Sequence, residues 1–165
     1  MLAYATENDE YLARWSPPRP TAYFTEEYWR KHLQTAREEF REGIAVRFVL
    51  QQRDAPEETF VGVCNFSQIF RGPFLACYLG YHLDHRFVGK NLMHEALTAA
   101  AAYMFNEQKL HRIMANYMPA NERSGKLLKR LGFTIEGYAR DYLFIAGAWQ
   151  DHVLTSLANR NLNAL

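Results

Sequence analysis

A strand, a short loop, a long helix and a second strand follow one another between residues 75 and 117. Residues 75–83 are an apolar run, residues 90–108 are rich in Ala and Leu, and residues 112–117 form a short strand-like segment. Two strands joined through a helix of this length lie parallel in one sheet, with the helix crossing over a face of that sheet. The unit therefore predicts a sheet that is at least partly parallel and covered by helices.

Turn residues and hydrophobic periodicity place the other elements. The proline-rich segment 16–20 ends a first helix, and Thr25 is positioned to cap a second one. The predicted order is a helix at 4–14, a helix from Thr25 to Gly43, a hairpin of strands 45–52 and 59–68 with a polar turn at 53–58, the crossover unit 75–117, a helix from Asn121 to Gly132, and a hairpin of strands 138–146 and 149–157 around Gly147. Helices interleaved with a mixed sheet give an α/β or α+β class.

Composition narrows the class of protein. A length of 165 residues with 48% hydrophobic residues predicts one globular domain over residues 1–165. The formal net charge of +1 argues against a nucleic-acid-binding surface, and no apolar run is long enough to span a membrane. Cys64 and Cys77 lie in apolar segments, so we expect buried free thiols in a reducing cytoplasm. The six histidines lack the spacing of metal ligands, and no metal site is predicted.

The loop Arg-Phe-Val-Gly-Lys-Asn at residues 86–91 has the form of an anion site. It follows a strand and opens a helix, where unpaired backbone N–H groups carry partial positive charge. Gly89 lets the backbone approach a bulky anion, because no Cβ stands in the way. The arrangement suits a pyrophosphate, although many strand–loop–helix turns carry one glycine and bind nothing.

A second motif about thirty residues further on makes the first specific. The segment from Asn121 to Phe133 is a helix led by Asn and ended by Gly-Phe. Together the two segments resemble the paired acetyl-CoA motifs of the GNAT acetyltransferase superfamily, and the order of elements is similar too. The segments 77–81, 111–119 and 136–142 resemble the ribosomal-protein-alanine N-acetyltransferases of the RimJ type. The resemblance covers roughly residues 2–157.

This resemblance implies the GNAT acyl-CoA N-acyltransferase fold and an enzyme. The implied reaction transfers acetyl from acetyl-CoA to the α-amine of a protein, with the N-terminal alanine of a small-subunit ribosomal protein as acceptor. An α-amine is chemically the easier acceptor, because its pKa of about 7.7–8.0 lies well below the value of about 10.4 for lysine. The enzyme is expected in the cytoplasm as a monomer or weak homodimer, without nucleic-acid or membrane binding.

The cofactor-binding residues follow from the motifs. The pyrophosphate is expected on the backbone of residues 88–92, Arg86 is expected to add a cation, and the edge of strand 79–83 is expected to pair with pantetheine. Asn121 caps its helix and, by resemblance, contacts pantetheine. The complete predicted set is Leu83, Arg86, Val88, Gly89, Lys90, Asn91, Leu92 and Asn121.

The catalytic assignments are less direct. Many members of the superfamily use a Tyr as general acid at the place held here by Leu128, so Ser124, one helical turn earlier, is the candidate acid for the thiolate. Asp141 and Tyr142 are the two candidates for the base, and strand alternation allows only one of them to face the acceptor. Asn65 and Tyr81 are assigned to the acceptor.

Two departures from the family pattern bear on function. The last Gly or Ala of the loop motif is Asn91, which tolerates left-handed backbone and whose amide can donate to phosphate. Such enzymes usually begin with a strand, whereas here the first predicted helix starts almost at Met1, so the first strand is expected to be missing. Two alternatives stay open, an acetyltransferase of a small-molecule amine and a non-catalytic acyl-CoA-binding module.

Overall fold

The computed structural model describes residues 1–53 and 60–161. Within them lie five α-helices and six β-strands. The helices are α1 (Leu2–Glu7), α2 (Asp9–Ala13), α3 (Glu26–Arg41), α4 (Leu92–Asn106) and α5 (Glu122–Arg130), and the strands are β1 (Val46–Gln51), β2 (Phe60–Phe70), β3 (Ala76–Leu83), β4 (Arg112–Tyr117), β5 (Thr134–Ile145) and β6 (Ala148–Ala158). The predicted α/β class with a mixed sheet is confirmed, and the turn predicted at 53–58 lies almost wholly outside the described residues.

The N-terminal helix is broken where the periodicity predicted one element at 4–14. Asn8 leaves the helical region, with φ −105° and ψ 5°, and separates α1 from α2. The Asn8 side chain is fully buried, and its Nδ2 donates to the backbone carbonyl of Tyr4 and to Asp84. This tertiary contact outweighs the local helical preference. No strand precedes α1 in the part of the chain that the structure describes.

The predicted helix caps of α3 and α5 are present. The Thr25 side chain accepts a hydrogen bond from the backbone N–H of Tyr28, and the Asn121 side chain accepts one from the backbone N–H of Ser124. Each bond satisfies an N–H group that has no partner within its own helix. The residue types in the sequence therefore fix where both helices start.

All six strands join one sheet in the order β1-β2-β3-β4-β6-β5. β3 and β4 are parallel and are connected by α4, as predicted, whereas the other neighbours are antiparallel. The extent of a single domain over residues 1–165 stays a prediction.

The parallel pair at the centre of the sheet separates after three residues. Ala76 pairs with Arg112, and Tyr78 is the last residue of β3 that pairs with β4, opposite Met114. On its other edge β3 stays paired with β2 as far as Leu83. β4 likewise stays paired with β6 as far as Tyr117. The two strands therefore diverge and leave a gap in the middle of the sheet.

The sheet has two faces, defined here on β3. Leu79, Tyr81 and Leu83 lie on the α4 face, where they pack with the apolar side of α4 in the main core. Gly80 and His82 alternate with them and lie on the α1 face, where the His82 ring stacks on Tyr4 of α1. The gap between β3 and β4 connects the two faces.

Candidate active site

A cavity of about 820 Å³ occupies the gap between β3 and β4. On the α4 face it runs from the loop before α4 along α5 as far as Arg130, the last residue of that helix, and on the α1 face it reaches α2. Its lining includes residues of β3, the loop 88–92, the start of α4, the end of β4, α5, α2 and a single residue of β6, His152. A cavity open to both faces can hold two molecules that meet inside the gap.

The edge of β3 along the cavity carries free backbone groups. Residues 79–83 line the cavity and have no pairing partner on β4. Unpaired N–H and C=O groups on a strand edge are a template for an extended ligand. Leu83 is part of this edge, and its contact with pantetheine stays a prediction.

The loop before α4 adopts the left-handed conformation at two positions. Gly89 has φ +83° and Asn91 has φ +62°. Asn91 occupies the N-cap position of α4 without capping it through its side chain. Val88, Gly89, Asn91 and Leu92 line the cavity, whereas the Lys90 ammonium lies over the Phe87 ring, 4.9 Å from its centroid. Asn, with its tolerance of positive φ, therefore replaces glycine here without loss of the turn.

The structure does not bring the predicted cation Arg86 to the cavity. Its guanidinium donates to both carboxylate oxygens of Asp84, at 2.9 and 2.6 Å, and to Glu7 of α1 at 3.0 Å. Burial acts to raise the pKa of Asp84, but hydrogen bonds from Arg86 and Asn8 outweigh it and lower that pKa to about 2. Arg86 thus links the loop before α4 to the N-terminal helices, and its contact with phosphate stays a prediction.

Other cations stand at the mouth of the cavity on α5. Arg123, Lys126 and Arg130 all line it, and the Arg130 guanidinium donates to the Asn91 side chain at 2.6 Å. Their spacing of three and four residues puts them on one side of the helix, a signal that the sequence analysis missed. Arg130 contacts the loop, whereas Arg123 donates to the Tyr11 hydroxyl of α2 and Lys126 pairs with Glu122. Positive charge beside the loop suits the phosphates of a nucleotide cofactor.

Ser124 and Tyr81, which the sequence assigned to different partners, lie together. The Ser124 hydroxyl is 2.6 Å from the Tyr81 hydroxyl, and both residues line the cavity on the α4 face. Burial raises the pKa of Tyr81 to about 12, so its phenol is protonated at neutral pH. Two hydroxyls that share one hydrogen bond leave one proton free for a third atom. Leu128, by contrast, is buried in the core and has no proton to donate.

The two base candidates lie in a bulge of β5, where residues 140–142 stand opposite a single residue of β6, so the simple alternation assumed from the sequence does not apply. Asp141 is exposed at φ +47° in a bulge of β5, and its backbone N–H donates to Asp151. The Tyr142 hydroxyl accepts a hydrogen bond from Asn116, and its ring lies 5.2 Å from that of His152. Neither candidate lines the cavity itself, whereas Asn116 and His152 do. A catalytic role for Asp141 or Tyr142 stays a prediction.

The residues assigned to the acceptor are divided between the faces. Asn65 of β2 pairs with Gly80 and lies on the α1 face, but it does not line the cavity. Tyr81 lies on the α4 face beside Ser124. On the α1 face α2 and the segment after it provide Tyr11, which was predicted only as part of a helix, and Trp15, which lies just beyond the predicted helix 4–14. Acceptor contacts of Asn65 and Tyr81 stay predictions.

No group of three or more His, Cys, Asp or Glu residues that could hold a metal ion occurs in residues 1–53 and 60–161. Cys64 and Cys77 are buried free thiols, as expected, and burial raises the pKa of each to about 12. No helix in the described ranges has the length and apolar character that crossing a membrane requires.

Comparison with known proteins identifies the family to which this architecture belongs. The model of the Acetyltransferase (GNAT) domain matches residues 1–134. The chain is 51% identical over 154 residues to the ribosomal protein uS5-alanine N-acetyltransferase of Escherichia coli (strain K12), which covers 93% of this chain and 78% of that relative.

Solved structures agree with the sequence match. Ribosomal-protein-S5-alanine acetyltransferase from Vibrio fischeri has a TM-score of 0.93 at 40% identity, over 99% of this chain and 88% of that one. Mycobacterium smegmatis RimJ in complex with CoA-disulfide has a TM-score of 0.89 at 26% identity, over 99% of this chain and 78% of that one. The resemblance read from the two motifs is confirmed, and the chain belongs to the GNAT family of N-acetyltransferases.

Proposed function

We propose that this enzyme transfers the acetyl group of acetyl-CoA to the N-terminal α-amine of an alanine-starting ribosomal protein. The observation that supports the reaction is the cavity between β3 and β4. On the α4 face this cavity is bordered by the loop before α4 and by cationic residues of α5, and on the α1 face it has space for a second molecule. The acceptor class is supported by the E. coli and V. fischeri relatives, which are named as acetyltransferases of the alanine of ribosomal protein uS5 or S5. With such an acceptor we expect the reaction in the cytoplasm.

The cofactor side of the cavity fits acetyl-CoA. Backbone N–H groups at the start of α4 follow two left-handed residues, Gly89 and Asn91, and can take the pyrophosphate. Arg130, which is bonded to Asn91, adds positive charge beside them, and Lys126 and Arg123 line the cavity further along α5. The free edge of β3 can hydrogen-bond to the amides of the pantetheine arm, which carries the thioester into the gap.

The acceptor side suits a neutral amine better than a polycation. Glu122 is the one carboxylate among the described lining residues, and it is paired with Lys126 at 2.9 Å. Burial lowers the pKa of His82 to about 4, so its ring is neutral at physiological pH. A polyamine needs negative charge for recognition, whereas a protein α-amine deprotonates near neutrality. The charge pattern therefore favours a protein N-terminus over a polyamine.

The thiolate leaves on the face that holds Ser124. Either hydroxyl of the Tyr81–Ser124 pair can hand its free proton to the sulfur, and the other hydroxyl restores the hydrogen bond. The raised pKa of Tyr81 makes the phenol a donor rather than an anion at neutral pH. The pair supplies the acid that Leu128 cannot supply.

A peptide assay tests the proposal. The enzyme and acetyl-CoA are incubated with an alanine-starting peptide of ribosomal-protein sequence, with the same peptide blocked at its N-terminus and carrying an internal lysine, and with spermidine. We expect CoA release and a mass increase of one acetyl group only with the free alanine peptide. Transfer to spermidine alone would support a small-amine enzyme, and CoA binding without any transfer would support a non-catalytic module. Oligomeric state, predicted as monomer or weak homodimer, is measured on the same sample by light scattering.

A further inference from the structure

The acetyl transfer needs a group that accepts the proton of the incoming amine. Among the described residues that line the cavity, three histidines and Glu122 have side chains of this kind. Glu122 is solvent-exposed and paired with Lys126. His94 stands at the start of α4, beside the anion-binding loop. Burial lowers the pKa of His82 to about 4, which makes it a weak acceptor. His152 is the remaining one.

The hydrogen bond of His152 fixes its tautomer. Its Nδ1 lies 3.0 Å from the backbone carbonyl oxygen of Gln150. A carbonyl oxygen only accepts, so Nδ1 carries the hydrogen and the neutral ring keeps its lone pair on Nε2. No hydrogen bond reaches Nε2 from residues 1–53 or 60–161. His152 is 3% exposed and lines the cavity, so this free acceptor belongs to the cavity interior.

Neighbouring residues hold the ring in place. The Tyr142 ring packs at 5.2 Å from the imidazole, and the Tyr142 hydroxyl accepts from the Asn116 side chain at 3.1 Å. The carbonyl oxygen of the same Asn116 side chain accepts from the backbone N–H of Thr155. Asn116 and Tyr142 are therefore engaged with each other, and they act as positioning residues for His152.

The register of the strands assigns His152 to a face. Tyr78 pairs with Met114, so Met114 and, two residues on, Asn116 share the α1 face with Gly80. Asn116 in turn pairs with Leu154 of β6, and His152 precedes Leu154 by two residues on the same face. His152 thus lies on the acceptor side of the gap.

The acid candidate lies on the opposite face. Tyr81 is next to Gly80 on β3 and points to the α4 face, where it meets Ser124. Gly80 itself leaves open space on the α1 face, since a Cβ built there meets no atom within 4 Å. An amine that comes in past Gly80 meets His152 on its own side, and the thiolate leaves toward Ser124 on the other side.

We propose that His152 is the general base of the acetyl transfer. Its Nε2 takes the proton of the α-amine as the bond from the amine nitrogen to the acetyl carbon forms. The bond from that carbon to sulfur then breaks, and the sulfur takes a proton from the Tyr81–Ser124 pair. The proposal rests on the proposed function for the existence of the transfer, and it names the residue that makes the amine reactive.

Two substitutions test the role kinetically. His152→Asn keeps an N–H donor for the Gln150 carbonyl but removes the base, and His152→Ala leaves room for free imidazole. We expect both to lower kcat about 100-fold or more, the scale of general-base catalysis, with the Kd of acetyl-CoA and the thermal midpoint near wild type. Imidazole in the buffer should restore part of the activity of His152→Ala. His111→Asn, which replaces an exposed histidine outside the cavity, is the matched control and should keep wild-type activity.

The results decide in either direction. The proposal is overturned if His152→Asn keeps kcat within about threefold of wild type, or if imidazole rescues nothing while acetyl-CoA binding is intact. If the wild type acetylates another amine instead of the peptide, the proposed acceptor fails and the same variants are compared on that amine. Nitrogen-15 NMR of the free enzyme needs no turnover. For the neutral ring it should show the hydrogen on Nδ1 and the lone pair on Nε2, and the opposite tautomer would contradict the proposal.

Discussion

The hydroxyl groups of Tyr81 and Ser124 lie 2.6 Å apart and join the free edge of β3 to the first turn of α5. The two residues are 43 positions apart in the chain. Asn121 holds the first turn of α5 in place, because its side chain accepts a hydrogen bond from the backbone N–H of Ser124 at 3.2 Å. The pair therefore stands at one defined place inside the gap of the sheet, between the cofactor edge and α5.

Removal of either hydroxyl should slow proton transfer to the thiolate. We expect Ser124→Ala and Tyr81→Phe each to lower kcat roughly 100-fold. The double variant should lose little more than either single one, because the two hydroxyls act as one unit. Steady-state kinetics measure kcat, and calorimetry verifies that acetyl-CoA still binds. Full kcat in Ser124→Ala with intact binding would remove Ser124 from the mechanism.

Asn91 should be dispensable for cofactor affinity. Its backbone already has φ +62°, a conformation that glycine adopts more easily. We therefore expect Asn91→Gly to bind acetyl-CoA as tightly as wild type or more tightly. Clear weakening in calorimetry would mean that the Asn side chain contributes to the phosphate site, directly or through Arg130, to which it is bonded.

Arg130 itself should matter through its charge. The guanidinium stands beside the loop before α4, 2.6 Å from Asn91 Oδ1. We expect Arg130→Gln to weaken acetyl-CoA binding about tenfold at low salt and less at high salt, because screening reduces the attraction to phosphate. Lys129→Gln, one position earlier and not part of the cavity lining, is the matched control. Equal losses in the two variants would contradict a local role for Arg130.

The Asp84 carboxylate should stabilise the protein in a defined pH range. Its pKa is lowered from 3.8 to about 2, so the ionised form is favoured in the folded state. That stability is complete above the unfolded value of 3.8 and is lost as the pH falls toward 2. At pH 7 we expect Asp84→Asn to lower the free energy of unfolding by about 1–2 kcal/mol. This figure is below the full value for the pKa shift, because Arg86 is half-exposed and solvent screens its attraction to the carboxylate. The difference in the free energy of unfolding between this variant and the wild type should be smaller at pH 3.

Urea unfolding at pH 7 and pH 3 measures this effect. Glu7→Gln is the control, because Glu7 bonds the same Arg86 from a half-exposed position and should cost less than about 0.5 kcal/mol. A loss in Asp84→Asn that stays the same at both pH values would show that the carboxylate acts through packing instead of charge.

Gly80 should limit the size of the acceptor. A Cβ at this position meets no atom within 4 Å, and the backbone φ is not positive. When a strand glycine has no protein atoms near the place of its missing side chain, that space indicates the close approach of a ligand. We expect Gly80→Val to lower kcat/KM for the alanine peptide about tenfold or more, because the valine side chain would clash with the bound peptide. Acetyl-CoA binding and the thermal midpoint should stay near wild type.

Gly62 offers the contrasting case on the neighbouring strand. A Cβ there lies 2.5 Å from the backbone oxygen of His82. Gly62→Ala should therefore destabilise the fold by about 1–3 kcal/mol. If Gly80→Val unfolds the protein as Gly62→Ala does, the space at Gly80 is structural and not an acceptor channel.

The local features of this protein could be predicted from residue types alone. Thr25 and Asn121 cap their helices as predicted, because capping depends on a side chain and the N–H groups of the next turn. The parallel crossover also follows, since a strand joined to the next through a helix has few ways to pack. The family could be recognised because a pair of motifs at fixed spacing is specific where each alone is not.

The contacts that make the site were not predictable in the same way. Arg86 has the charge for phosphate, but it turns to Asp84 and Glu7, and α1 breaks at Asn8 to reach the same carboxylate. His152 has no sequence signal, because its role depends on one carbonyl that selects its tautomer. These choices depend on which side chains compete for a partner in space.

The sequence by itself therefore determined the order of the elements apart from the break at Asn8, the helix caps and the family of the chain. The tertiary structure decided where β3 and β4 separate, that Tyr81 meets Ser124, and that His152 lies across the gap from them. The division has a physical reason. Caps and turns are settled within a few residues, whereas the active site is formed by strand edges and side chains far apart in the chain, which only the packing of the whole sheet brings together.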